Sequence, residues 1–83
     1  MTFTDLRLAI YSDTSFKKNI AYDVNNNPEY IGLAAPGTSD SVSGWQIKKI
    51  TYDVNENPTD IDFANSSADF NKIWSSRTSY SYG

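Results

Sequence analysis

From Phe16 the chain alternates, with Phe16, Ile20, Tyr22 and Val24 on one parity and Lys17, Asn19 and Asp23 on the other. A period of two predicts a strand with one face buried. Next come Asn25, Asn26, Asn27 and Pro28, residues that tolerate left-handed backbone or fix φ. Behind them Ile31 and Leu33 alternate with Tyr30 and Gly32. A strand, a short turn and a returning strand make a β-hairpin.

Thirty residues on, the same statement recurs: "IAYDVNNNPEYIGLA" (20–34) is followed by "ITYDVNENPTDIDFA" (50–64), identical at nine of fifteen positions. The second copy therefore predicts a second hairpin, with Ile50, Tyr52 and Val54 going out and Ile61 and Phe63 returning. Each Pro, 28 and 58, falls where a return strand begins and its missing N–H is tolerated. Upstream of the second copy, Trp45 and Ile47 are out of phase with Ile50 and Tyr52. Either a bulge near Lys48–Lys49 or burial on both faces reconciles them.

Between the hairpins, residues 35–44 ("APGTSDSVSG") hold too many Gly, Pro and Ser for a regular element and read as a surface loop, with room for one helical turn after Thr38 or Ser39. After the second hairpin, Ser66 or Ser67 offers an N-cap, Asp69 sits in the first turn, and Phe70, Ile73 and Trp74 follow at helical spacing. That predicts a short helix or 3₁₀ turn near residues 67–75. The tail alternates again, Thr78, Tyr80 and Tyr82 against Ser79 and Ser81, and predicts a last strand. At the front, "FTDLRLAIYS" predicts a first strand with "SDTS" as its turn. The fold expected is all-β: one domain, residues 1–83, an antiparallel sandwich or barrel built from two related hairpins.

Composition sharpens this picture. Ser, Thr and Asn supply 26 of the 83 residues, which opposes long helices, while six Tyr, four Phe and two Trp favour strands. With no Cys and no His, disulfides, the usual zinc sites, thiol nucleophiles and the commonest general base are all missing. A core this small without a staple favours self-association or a partner protein. The net charge of −3 gives no electrostatic reason to bind nucleic acid or an anionic membrane. No apolar run is long enough to span a bilayer, and the acidic N-terminal stretch is unlike a signal peptide, so the expectation is a protein made in a cytoplasm.

Three chemistries suggest themselves. "DVNNN" and "DVNEN" place oxygen-bearing side chains at positions 1, 3 and 5 of an EF-hand-like loop. Yet Pro28 or Pro58 stands where the sharp turn needs Gly, and Ala34 or Ala64 where a bidentate Glu is needed. A turn in which Asp23 and Asp53 accept backbone N–H bonds, and the Asn residues adopt unusual φ, explains the motif without metal. Asp60 and Asp62 share a strand face as glycosidase carboxylates would, but their first-copy equivalents are Tyr30 and Gly32. They read instead as solvent-face carboxylates guarding an edge. Tyr30, Tyr80, Tyr82, Trp45 and Trp74 could form a sugar-stacking platform, though aromatics at strand period more often build a core or subunit interface. Arg77, between Trp74 and Tyr80, is placed to stack on a ring. No nucleophile has an activating partner, no phosphate loop exists, and no cofactor is expected.

The ordered set of a Tyr-Asp turn, "YIG", "APGT", "WQI", "KITYD", "DFA" and "F..IW..R..Y.Y", spread over residues 21–82, resembles a group of small proteins encoded by tailed bacteriophages. The resemblance implies a non-enzymatic structural component of the virion: tail or neck, or capsid decoration. Such a protein acts by assembling with copies of itself and with other virion proteins. Tyr22, Tyr52, Ile31, Ile61, Trp45 and Trp74 are the expected core or interface anchors. The alternative is a small carbohydrate-binding module contacting a host surface.

Overall fold

The computed structural model describes residues 16–83, so the strand expected at the front of the chain lies outside the described residues. Five strands follow in order: β1 (Lys17–Tyr22), β2 (Pro28–Ala34), β3 (Ser43–Tyr52), β4 (Pro58–Phe63) and β5 (Lys72–Ile73). One 3₁₀ helix, Trp74–Ser79, comes after them. The first four form an antiparallel meander in the order β1-β2-β3-β4, and β5 pairs with the early part of β3. The all-β antiparallel fold built on two hairpins is what the pattern predicted.

The long strand β3 is central. Its register runs unbroken from Gln46 to Lys49 against β2 and from Lys48 to Thr51 against β4. No bulge interrupts Lys48–Lys49; the phase change is resolved by burial on both faces. Trp45 and Ile47 point to one side, Ile50 to the other, and all three are buried.

Because paired residues share a face, the register sorts the whole sheet. One face, here the core face, carries Tyr30, Gly32 and Ala34 of β2 with Trp45 and Ile47 of β3. The C-terminal segment forms the layer over it. Trp74 lies tilted against Trp45, ring centroids 5.8 Å apart, and Tyr82 meets Tyr30 edge-on at 5.7 Å. The Arg77 guanidinium stacks 4.8 Å from the Trp74 ring and sends Nη1 to the Trp74 carbonyl. Burying each Trp stabilises the domain by about 2–3 kcal/mol, a large share of what so small a domain has.

Two local expectations shift. The helical turn expected near 67–75 is realised further on, at Trp74–Ser79, because Lys72 and Ile73 are drawn into pairing with Ser43 and Trp45 of β3. Ser67 accepts the N–H of Asp69 in a local turn instead of capping a helix, and Phe70 leaves the core to stack on Phe16 at 5.4 Å. The tail strand is reduced to one bridge, Ala64 with Tyr82, since Thr78 is taken into the 3₁₀ helix. Among the described residues no helix is long and apolar enough to cross a membrane.

Candidate functional site

The two copies of "DVN.NP" fold into the same turn, with every backbone N–H bond of the first repeated in the second. In the first, the Asp23 N–H donates to the Asn27 carbonyl (2.9 Å) and the Asn26 N–H to the Asp23 carbonyl (3.0 Å). In the second, Asp53 and Glu56 repeat both bonds at 3.0 Å. Asp23 Oδ1 accepts the N–H groups of Asn25 and Asn27, and Asp53 Oδ1 those of Asn55 and Asn57, all at 2.9 Å. These are the Asx bonds that the sequence suggested. The left-handed residue is Asn26 (φ 62°) in one turn and Glu56 (φ 64°) in the other. Both return strands enter through the same register shift, Tyr22 opposite Pro28 and Tyr52 opposite Pro58.

An oxygen engaged by two N–H groups is committed to the turn. Asp53 is accordingly held below the usual carboxylate range, first by the Asn57 N–H and then by that of Asn55 and the Asn57 side chain, against an opposing effect of desolvation. Among the described residues, no three acidic, His or Cys side chains are grouped to hold a metal ion. The turns lie side by side, joined by a bond from Asn27 Nδ2 to Glu56 Oε1 (3.1 Å). The cleft between them, about 300 Å³, is lined by Asp23, Glu29, Asp53 and Glu56 with Lys49 and Tyr52. Val24 and Val54, one at each tip, are 97% exposed.

Behind the tips, the repeat acquires a direction. The face opposite the core face, here the ladder face, holds Lys18, Ile20 and Tyr22 of β1 and Ile31 and Leu33 of β2. It continues with Gln46, Lys48, Ile50 and Tyr52 of β3 and Ile61 and Phe63 of β4. Each residue of the first hairpin has an identical or apolar counterpart thirty positions on. On the core face the counterparts diverge: Asn19/Lys49, Ala21/Thr51, Tyr30/Asp60 and Gly32/Asp62, with only Ala34/Ala64 kept. Likeness within the strands is therefore concentrated on the ladder face.

The expected anchors divide accordingly. Trp45 and Trp74 are core. Ile31 and Tyr52 are half-buried on the ladder face, where the Tyr52 hydroxyl donates to the Pro28 carbonyl at 2.6 Å. Ile61 and Tyr22, at 54% and 59% exposure, face outward. The hairpins thus share a backbone but not an environment, since among the described residues β2 is flanked on both sides while β4 has β3 on one side and, on the other, one bridge past its end from Ala64 to Tyr82. Of the five rings considered as a sugar platform, Tyr30, Trp45 and Trp74 are buried. Asp60 and Asp62 lie along β4 on the core-face side, opposite Thr51 and Lys49.

Sequence reasoning missed three features. Val24 and Val54 looked like strand residues by parity, yet stand free at the tips. The Phe16–Phe70 stack borders an open apolar groove of about 650 Å³ at the other end of the sheet, lined also by Val42, Thr38 and Gly44. Finally, the equivalence of Lys18 and Lys48, two residues upstream of the quoted repeat, extends the ladder; comparing the copies further upstream would have found it. Compared with protein-family models, curated proteins and solved structures, the chain matches none.

Proposed function

We propose that the protein is a non-enzymatic structural subunit of a bacteriophage particle that works by ordered assembly. One observation carries the assembly reading: the chain spends its internal repeat on a surface. Ala34/Ala64 apart, the residues that recur in the strands are those of the ladder face, and the valines that recur in the turns are 97% exposed. A repeat needed only to close two turns would have no reason to keep Ile20/Ile50, Ile31/Ile61 and Lys18/Lys48 while letting the core face diverge. Apolar side chains also stand outward at the groove end, where Phe16, Val42 and Phe70 are 37%, 47% and 43% exposed. Exposed apolar positions at both ends and on one face suit a subunit that contacts neighbours on several sides.

The phage setting rests on the sequence resemblance over residues 21–82, and the particle is where it is tested. Mass spectrometry of virions purified from the phage encoding this chain, with copy number counted against the major capsid protein, should detect the chain. Hundreds of copies place it as decoration and a dozen or fewer in the neck or tail. Absence from purified particles refutes the proposal.

A further inference from the structure

We infer that the ladder face is an isologous interface on which a second copy of this chain packs, sheet against sheet. The inference deepens the assembly reading and rests on it.

The two faces of the sheet have different fates. The C-terminal layer, with Trp74, Arg77 and Tyr82, closes the core face. The ladder face presents Ile20, Ile31, Leu33, Ile50, Ile61 and Phe63 across all four strands of the meander. Ile61 is 54% exposed, Ile20, Ile31, Leu33 and Phe63 are half-buried, and Ile50, in the middle of the central strand, is buried at 4%. β-Branched and aromatic side chains at this density are what one sheet offers another when the two stack about 10 Å apart.

Periodicity points to the occupant. Ile20 is paired with Ile31, and Ile50 with Ile61; since Ile31 itself stands opposite Lys48, the same apolar pair recurs two strands on, displaced by about 10 Å across the sheet and about 7 Å along it. A surface with that spacing is matched by a partner of the same spacing, and this chain supplies one. Charge fixes the orientation. The hairpin end carries Asp23, Glu29, Asp53 and Glu56, whereas Lys48 lies back along the face with its ammonium over Phe63. A two-fold axis perpendicular to the strands sets the lysine-bearing half of each face toward the partner's acidic tips. Parallel stacking would oppose acid to acid.

The test is sedimentation equilibrium of the full chain over a concentration series, with two variants. The wild type should dimerise, more weakly as salt rises. Ile61→Glu should weaken the dimer by about 100-fold, because it buries an unpaired carboxylate at the interface. Its far-UV spectrum should not change, since position 61 is exposed in the monomer. Asp60→Asn, on the other face of the same strand, should dimerise as the wild type does. A wild-type chain that stays monomeric overturns the inference. So does an oligomer that Ile61→Glu leaves intact; that second result removes this face while assembly through another surface stands. Absence of the chain from virions would instead remove the reading beneath it.

Discussion

A Cβ on Gly32 would stand 2.6 Å from Cε3 of Trp74, and 2.9 Å from Cε3 of Trp45. No real Cβ tolerates such contacts, so this glycine is the floor on which both indoles of the core rest. Gly32→Ala should therefore destabilise the domain by about 1–3 kcal/mol through overpacking, although alanine is the better strand former. Urea unfolding followed by tryptophan fluorescence measures it. Asp62→Ala, at the repeat-equivalent position where no indole lies, should stay within about 0.5 kcal/mol of wild type. Equal effects at the two sites would contradict this role for Gly32.

Gly32 also shows what was legible in advance. A glycine inside a strand announces close approach of something, and the alternation of β2 already put it beside Tyr30 and Ala34; which ring approached it depended on a contact forty-two residues away. The hairpins were readable because their causes are local: Asp, Asn and Pro within five residues determine each turn. The helix near 67–75 was misplaced because Ser67 and Asp69 carry a genuine start signal that a tertiary interaction overrides. Pairing of Lys72 and Ile73 with β3 keeps that stretch extended until Trp74. The ladder face was half legible. Ile20, Ile31, Ile50 and Ile61 were visible as repeated residues, but their sharing of one face required the register of four strands.

The second turn places a glutamate where the first has an asparagine, and both are left-handed. Asparagine adopts that region at less cost than glutamate, so Glu56→Asn should raise stability by about 0.5–1 kcal/mol despite loss of the Asn27–Glu56 bond, which is exposed. Thermal unfolding at neutral pH reads this as a higher midpoint. Asn26→Glu, the reverse exchange in the first turn, should lower it by a similar amount. A fall with Glu56→Asn would show that the contact between tips outweighs the backbone strain.

Acid should loosen the second turn as Asp53 takes up its proton. The folded pKa of Asp53 is depressed, so its contribution is present above the unfolded value of about 3.9 and is lost as pH falls through the lower folded value. Asp53→Asn keeps an acceptor oxygen but no charge. The variant should be less stable than wild type at neutral pH, and the difference should shrink as the pH falls below about 4. Denaturant midpoints collected across that range would refute the linkage if the two curves ran parallel.

At the alkaline end, Tyr82 should govern. Its hydroxyl donates to the Arg77 carbonyl at 2.8 Å and its ring lies edge-on to Tyr30. Burial, followed by the phenols of Tyr30 and Tyr80, pushes its pKa up to about 12, against a smaller opposing pull from Arg77. A folded pKa raised above the unfolded value of about 10 means that the stabilisation is complete below pH 10 and drains away as pH rises toward 12. Tyr82→Phe should cost about 0.5–1.5 kcal/mol at neutral pH, through the lost hydrogen bond, and should flatten the alkaline decline. In a tyrosinate absorbance titration the variant should lack the last ionisation of the wild type. If the missing step lies instead near pH 10, the tail does not hold Tyr82 against Tyr30, and the C-terminal layer is looser than its contacts imply.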